Sequence, residues 1–131
     1  MSSMPSRSGP TIDLLIWGAT GYTGRLVALA AAEHLGDRRW AIAGRSRDRL
    51  ERIRDEIAET GAAPPDVVVA DLEDAGSMRA MTGSTRVVLT TVGPYDLVGE
   101  PLIEACIATG THVADITGEV PWVRRMRMRY E

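Results

Sequence analysis

Leu14-Leu15-Ile16-Trp17-Gly18-Ala19-Thr20-Gly21-Tyr22-Thr23-Gly24-Arg25 is the stretch on which the fold turns. A short apolar run stops at Gly18, two more glycines follow at three-residue steps, and a helix-forming segment runs from Arg25 to His34. This is the strand–turn–helix layout of a dinucleotide-binding fold, spelled G-x-x-G-x-x-G. Gly18 lets the chain leave the strand in a tight turn. Gly21, with no Cβ, admits a pyrophosphate close to the backbone. Gly24 lets the helix lie against the strand. The backbone from Gly18 through Thr20, Gly21, Tyr22, Thr23 and Gly24 is therefore the expected diphosphate cradle, where free N–H groups and the helix dipole favour an anion. Thirteen glycines in 131 residues make the spacing alone weak. The weight rests on the strand before it and the helix after it, and the competing reading is a purely structural turn.

Working outward, the chain is the length of one domain, and its 44% hydrophobic content can build a core. A net charge of -3 and the lack of a basic stripe interleaved with aromatics argue against nucleic acid as a partner. The Arg124–Arg129 cluster reads as a solvated helix face. Every cation is arginine, so a Schiff-base lysine or a Tyr-x-x-x-Lys site is excluded. The one cysteine, Cys106, excludes an internal disulfide; among Leu102, Ile103 and Ile107 it reads as a buried structural thiol, and the compartment expected is the cytoplasm. His34 and His112 lack metal-ligand spacing. The longest wholly apolar run, Leu26 to Ala32, is too short for a membrane span. Residues 1–10, rich in Ser, Pro and Gly, read as a disordered tail, and residues 11–131 as the folded unit.

Strand-like and helix-like segments alternate. Strands are expected at Asp13–Trp17, Trp40–Ala43, Val67–Ala70, Arg86–Thr90 and His112–Ile116. Helices are expected at Tyr22–His34, Arg47–Thr60 behind an N-cap at Ser46, Asp74–Met81, Leu97–Thr109 and Pro121–Glu131. Arg47/Glu51 and Arg52/Glu56 have the spacing of helix-surface ion pairs. Val67-Val68-Val69 and Val87-Val88-Leu89 lack polar alternation, the pattern of strands in a parallel sheet covered by helices. The fold class is therefore α/β, a doubly wound parallel sheet of the Rossmann type.

The second strand ends Ala41-Ile42-Ala43-Gly44-Arg45-Ser46, about 20 residues past the glycine turn, where this fold reads the ribose. A carboxylate there would select NAD; Arg45 instead can pair with a 2′-phosphate, and Ser46 adds a hydroxyl, so NADP(H) is the expected cofactor. The competing reading of Arg45 is a surface cap. Asp71 and Leu72 follow the third strand near the adenine edge, where Asp71 can accept from the amino group and Leu72 can cover the ring. Equally, Asp71 reads as an anion at a helix start. The turn Val92-Gly93-Pro94-Tyr95 after the fourth strand should border ribose and nicotinamide. Tyr95 reads either as a hydrogen-bond donor there or as a packed aromatic.

Gly18–Gly24, Ala43-Gly44-Arg45-Ser46, Val92-Gly93-Pro94-Tyr95 and Gly110-Thr111-His112-Val113-Ala114-Asp115-Ile116-Thr117-Gly118-Glu119 occur in this order. Together they resemble the NADP-binding domain of saccharopine dehydrogenase-like oxidoreductases, and within it the bacterial trans-acting enoyl reductases. The resemblance implies an NADP(H)-dependent reductase acting on an activated double bond or an imine. It also implies a second domain that supplies much of the pocket for a small-molecule or lipid-like substrate and often the contacts of a homo-oligomer. That domain is absent from this sequence, so this reads as a unit truncated before it. Asp115 and Glu119 could do acid–base work, but capping the next helix is the expectation favoured here. A non-catalytic NADP(H) sensor resembling NmrA-like regulators is the alternative function. A short-chain-type dehydrogenase or epimerase ranks below both for want of a lysine.

Overall fold

The computed structural model describes residues 10–131, so all of the expected tail except Pro10 lies outside the described residues. The chain runs β1 (Ile12–Trp17), α1 (Tyr22–His34), β2 (Trp40–Gly44), α2 (Arg47–Glu59), β3 (Asp66–Val69), α3 (Ala75–Gly83), β4 (Thr85–Thr90), α4 (Tyr95–Val98), α5 (Glu100–Thr109), β5 (His112–Asp115) and α6 (Val120–Tyr130). The strands form one sheet in the order β3-β2-β1-β4-β5, parallel throughout. From β1 the chain winds outward one way through β2 and β3, then returns to the other side of β1. The two half-sheets meet between β1 and β4.

Central β1 is buried on both faces, and its unbroken apolar run serves both. Leu15 and Trp17 join Ala41, Ala43 and Val88 under α3 and α5, with Met78, Met81, Leu102, Ala105 and Cys106. Ile16 joins Ile42 and Trp40 under α1 and α2, with Ala28, Leu50, Ile53 and Ile57. The edge strands differ. Val69 in β3 and all of β5 are exposed, so the apolar run at Val67–Val69 marks a parallel strand without marking a fully covered one.

Three local expectations need correction. The helix expected over Leu97–Thr109 is two helices, α4 and α5, meeting at Gly99. Pro101 lacks an N–H and sits in the first turn of α5, where a new helix tolerates it and a continuing one does not. Neither expected ion pair forms along α2; Glu56 instead takes Arg25 and joins α1 to α2. The arginines near the end are more than a wet face: from α6, Arg125 pairs with Asp96 and Arg129 with Glu100, and the Tyr130 hydroxyl donates to Glu100 at 2.8 Å. Cys106 lies in the core, and burial pushes its thiol up to about 11.

Candidate functional site

The turn after β1 is fixed by its neighbours. Gly18 and Ala19 both donate to the Ala43 carbonyl of β2, at 3.0 and 3.4 Å, and Thr91 donates to the Trp17 carbonyl at 3.3 Å. Gly18 has φ +89°, and a Cβ there would overlap Val92 Cγ2. At Gly24 a Cβ would lie 2.7 Å from the Gly18 carbonyl carbon and 2.9 Å from Ala19 Cα, so α1 reaches the turn only without a side chain there. Gly21 differs: a Cβ would meet nothing nearer than the Gly18 carbonyl oxygen at 3.5 Å. The fold does not need glycine at this position, whereas a ligand approaching the backbone would.

Gly21 is the N-cap of α1; it makes no side-chain cap and no acid stands in the first turn. Among the described residues the N–H groups of Tyr22, Thr23 and Gly24 find no acceptor. The next two helices are closed: Ser46 Oγ accepts from Arg49 N–H at 3.3 Å to cap α2, and Asp74 accepts from Ser77 N–H at 3.1 Å to cap α3. The start of α1 therefore presents open donors and an unopposed dipole, which together suit an anion.

Beside it, over the C-terminal ends of the strands, lies a cleft of about 510 Å³. From the expected site residues it gathers Gly18, Thr20, Arg45, Asp71, Leu72 and Val92. Arg45 is exposed and, among the described residues, makes no ion pair. Ser46 follows it; its oxygen is used by the cap and its proton stays available to donate. Asp71 is not the anion of the α3 start, which is Asp74. It makes its own turn, Oδ1 accepting from Glu73 N–H at 2.9 Å while its N–H donates to Ser77 Oγ at 3.0 Å. Leu72 packs on the layer under α3 and α5.

Other expected residues stand outside this wall. Gly21, Tyr22, Thr23 and Gly24 carry the chain from Thr20 into α1. Gly93 and Pro94 are exposed beyond Val92, joined by a cis bond. Tyr95 does not face the cleft. It is buried with Trp122 and Met126, its ring centroid 5.3 Å from that of Trp122. Its hydroxyl donates to the Thr90 carbonyl at 3.0 Å and accepts from Ile116 N–H at 3.5 Å. Burial lifts its pKa above the usual phenol value, so the donor stays protonated. The packed-aromatic reading is the one the geometry supports, because ring and hydroxyl are both already partnered.

The cleft also uses Trp17, Gly44, Glu73, Leu97, Val98 and Pro101. Trp17 and Gly44 end β1 and β2, so the rule that ligands gather at strand C-termini would have found them. Leu97, Val98 and Pro101 arrive through the break between α4 and α5, which hydrophobic periodicity does not reveal. For Glu73 we see no signal in the sequence. Of the paired carboxylates, Asp115 Oδ1 accepts from Thr117 N–H at 3.1 Å. Glu119 is a cap, though not of the helix it precedes: its oxygens accept from Tyr95 N–H at 2.7 Å and Asp96 N–H at 3.0 Å, at the start of α4.

Residues 14–131 match the family described as saccharopine dehydrogenase NADP binding domain. The chain is 43% identical over 112 residues to the trans-acting enoyl reductase of Mycobacterium leprae, covering 86% of this chain and 27% of that protein. It is 41% identical over 112 residues to the trans-acting enoyl reductase of Mycobacterium bovis, with the same shares covered. The chain thus spans about a quarter of the length of these relatives. Among solved structures, apo saccharopine dehydrogenase (L-Glu forming) of Saccharomyces cerevisiae is similar with a TM-score of 0.71 at 16% identity, over 88% of this chain and 24% of that one. Leucoanthocyanidin reductase of Vitis vinifera, solved with NADPH, is similar with a TM-score of 0.62 at 23% identity, over 89% and 44%. At these identities the structures show a shared fold.

Proposed function

Because this chain belongs to the saccharopine dehydrogenase NADP-binding domain family, we propose that it seats NADP(H) at the cleft above β1 and β2 for the reduction of an activated double bond. The observation that carries this is an open helix start standing beside a cleft that gathers Gly18, Thr20 and Arg45, which makes no ion pair among the described residues. The residues present fit the cofactor. The Tyr22, Thr23 and Gly24 N–H groups would hold the diphosphate, and Gly21 would let it approach. Arg45 and the Ser46 hydroxyl would hold the 2′-phosphate. Asp71 and Leu72 would meet the adenine, and the turn at Val92, Gly93 and Pro94 would border ribose and nicotinamide. Tyr95 supports that turn from beneath.

NADPH supplies a hydride when bound. The chain's own work is to bind, orient and shield. Gly18 and Val92 fix the floor of the cleft by mutual contact. The apolar side chains of Leu72, Leu97 and Val98 keep water from part of its wall. We assign the substrate pocket, the proton donor and any self-association to a second domain, for which the longer relatives have room. The relatives' name points to an enoyl substrate, a small or lipid-like molecule. The free buried thiol of Cys106 suits the cytoplasm, and no helix among the described residues is long and apolar enough to cross a membrane.

The test is titration of the purified chain with NADPH and NADH in parallel, followed by quenching of tryptophan emission, since Trp17 lines the cleft. NADPH is expected to bind more tightly. Indifference to both at millimolar concentration overturns the proposal.

A further inference from the structure

A helix of four residues lies far below the length at which helices hold themselves together, so α4 must be kept in place from outside. Its N-cap is Pro94, which has no side chain able to cap it. What holds it comes from more than twenty residues further along. Both carboxylate oxygens of Glu119 accept from its first two N–H groups, at 2.7 and 3.0 Å. Trp122 packs against Tyr95, and so closely against Gly99 that a Cβ there would lie 2.7 Å from Trp122 Cζ2. Arg125 pairs with Asp96. The second half of α4 presents Leu97 and Val98 to the cleft. Leu97 is 76% exposed, an apolar side chain left bare on the cleft wall.

We infer that Glu119 is a positioning residue for the cofactor cleft: it touches no ligand but, by gripping the start of α4, sets where the Leu97–Val98 wall stands. This rests on the NADP(H) reading above and adds to it a residue outside the cleft. The grip is strong for its size, because each N–H bonds to a charged acceptor, and the bond from Tyr95 N–H is partly buried. A neutral amide there offers one acceptor oxygen and turns an NH2 group toward the second N–H.

The experiment compares wild type with Glu119→Gln and Glu119→Asp, the latter one methylene too short to meet both N–H groups in the same pose. NADPH affinity, its salt dependence, thermal stability and the backbone amide spectrum are measured for each. The expected result is an NADPH Kd raised about tenfold, the scale of losing one apolar side-chain contact. The amide signals of Tyr95 and Asp96 should move while those of α2 and α3 stay. The slope of log Kd against log salt should stay at the wild-type value, because the lost contacts are apolar; removing Arg45 should flatten it. Folded variants that bind NADPH as wild type does overturn the inference and leave the NADP(H) reading intact. Failure of both variants to fold also overturns it, since Glu119 would then serve the whole fold. Wild type that binds no NADPH overturns the underlying reading instead, and the inference with it.

Discussion

Reversing one charge tests the cofactor assignment directly. Arg45→Asp puts a carboxylate where the structure has an exposed guanidinium that has no ionic partner among the described residues. Because no internal pair is broken and the start of α2 favours an anion over a cation, folding stability should hold or rise, by up to about 1 kcal/mol. The effect on NADPH follows from charge. At about 4 Å a unit pair is worth roughly 1 kcal/mol at the dielectric of water and about 4 kcal/mol at an effective dielectric near 20. Arg45 is exposed but flanked by a cleft wall, so the middle of that range applies, about 1.5–3 kcal/mol, which matches a charged hydrogen bond. The NADPH Kd should therefore rise roughly 10- to 150-fold at low salt. NADH offers a ribose hydroxyl that aspartate can accept, so its affinity should hold or improve. Calorimetric titration of both reduced cofactors, at two salt concentrations, reads all of this. Equal losses for NADPH and NADH would refute the placement of the 2′-phosphate, and a loss indifferent to salt would refute its electrostatic origin.

The glycines should separate fold from binding. Gly24→Ala drives a methyl into the backbone of Gly18 and Ala19 and should cost about 1–3 kcal/mol in denaturant melts. Gly21→Ala brings its methyl only into ordinary contact with the Gly18 carbonyl oxygen, so it should cost no more than about 1 kcal/mol while weakening NADPH binding. Cys106 should resist Ellman's reagent in the native state. Its folded pKa lies above the unfolded one, so the buried neutral thiol supports the fold fully below about pH 9 and loses that support as pH rises toward about 11. Melts of Cys106→Ala should show a shallower alkaline loss than wild type. Glu100 runs the other way: hydrogen bonds from Tyr130 and Arg129 hold its carboxyl below the usual value, so its contribution is present above about pH 4.5 and fades as acid protonates it. Tyr130→Phe should make the acid side of the stability profile flatter.

The parts legible in the sequence are those that depend on neighbours in the chain. The Gly18–Gly24 turn, the Ser46 cap and the span of α1 follow from local chemistry and agree with the structure. The parallel direction of the strands follows from the alternation of elements, because parallel strands need crossovers. What local reading misses is set by distant partners. Tyr95 belongs to the core because Trp122 arrives on α6 to cover it. Glu56 ignores Arg52 because Arg25 reaches it from α1. Glu119 caps α4 and not α6 because β5 delivers it beside β4. The part of the cleft wall made by Leu97, Val98 and Pro101 is placed by the break at Gly99, which the sequence shows only as one glycine ahead of a proline.

The basic end of β2 makes the argument for a ligand independently of any motif. Arg45, Arg47 and Arg49 crowd the start of α2, where the helix dipole is positive and cations cost roughly 0.3–1 kcal/mol each at exposed sites. Among the described residues none of the three has a carboxylate partner, in a chain with more acids than bases. Elsewhere Arg25, Arg39, Arg86, Arg125 and Arg129 each reach an acid on another element, while Arg38, Arg52, Arg79 and Arg124 stand singly and not as a cluster at a helix start. Folding alone would favour acids at this position, as Asp74 serves α3. A dianion seated against Arg45 would turn the local repulsion into attraction, with Ser46 and the dipole acting on the same charge. The Ser46 cap and Asp48 in the first turn support α2, so what the three arginines add is a positive field that suits a phosphate.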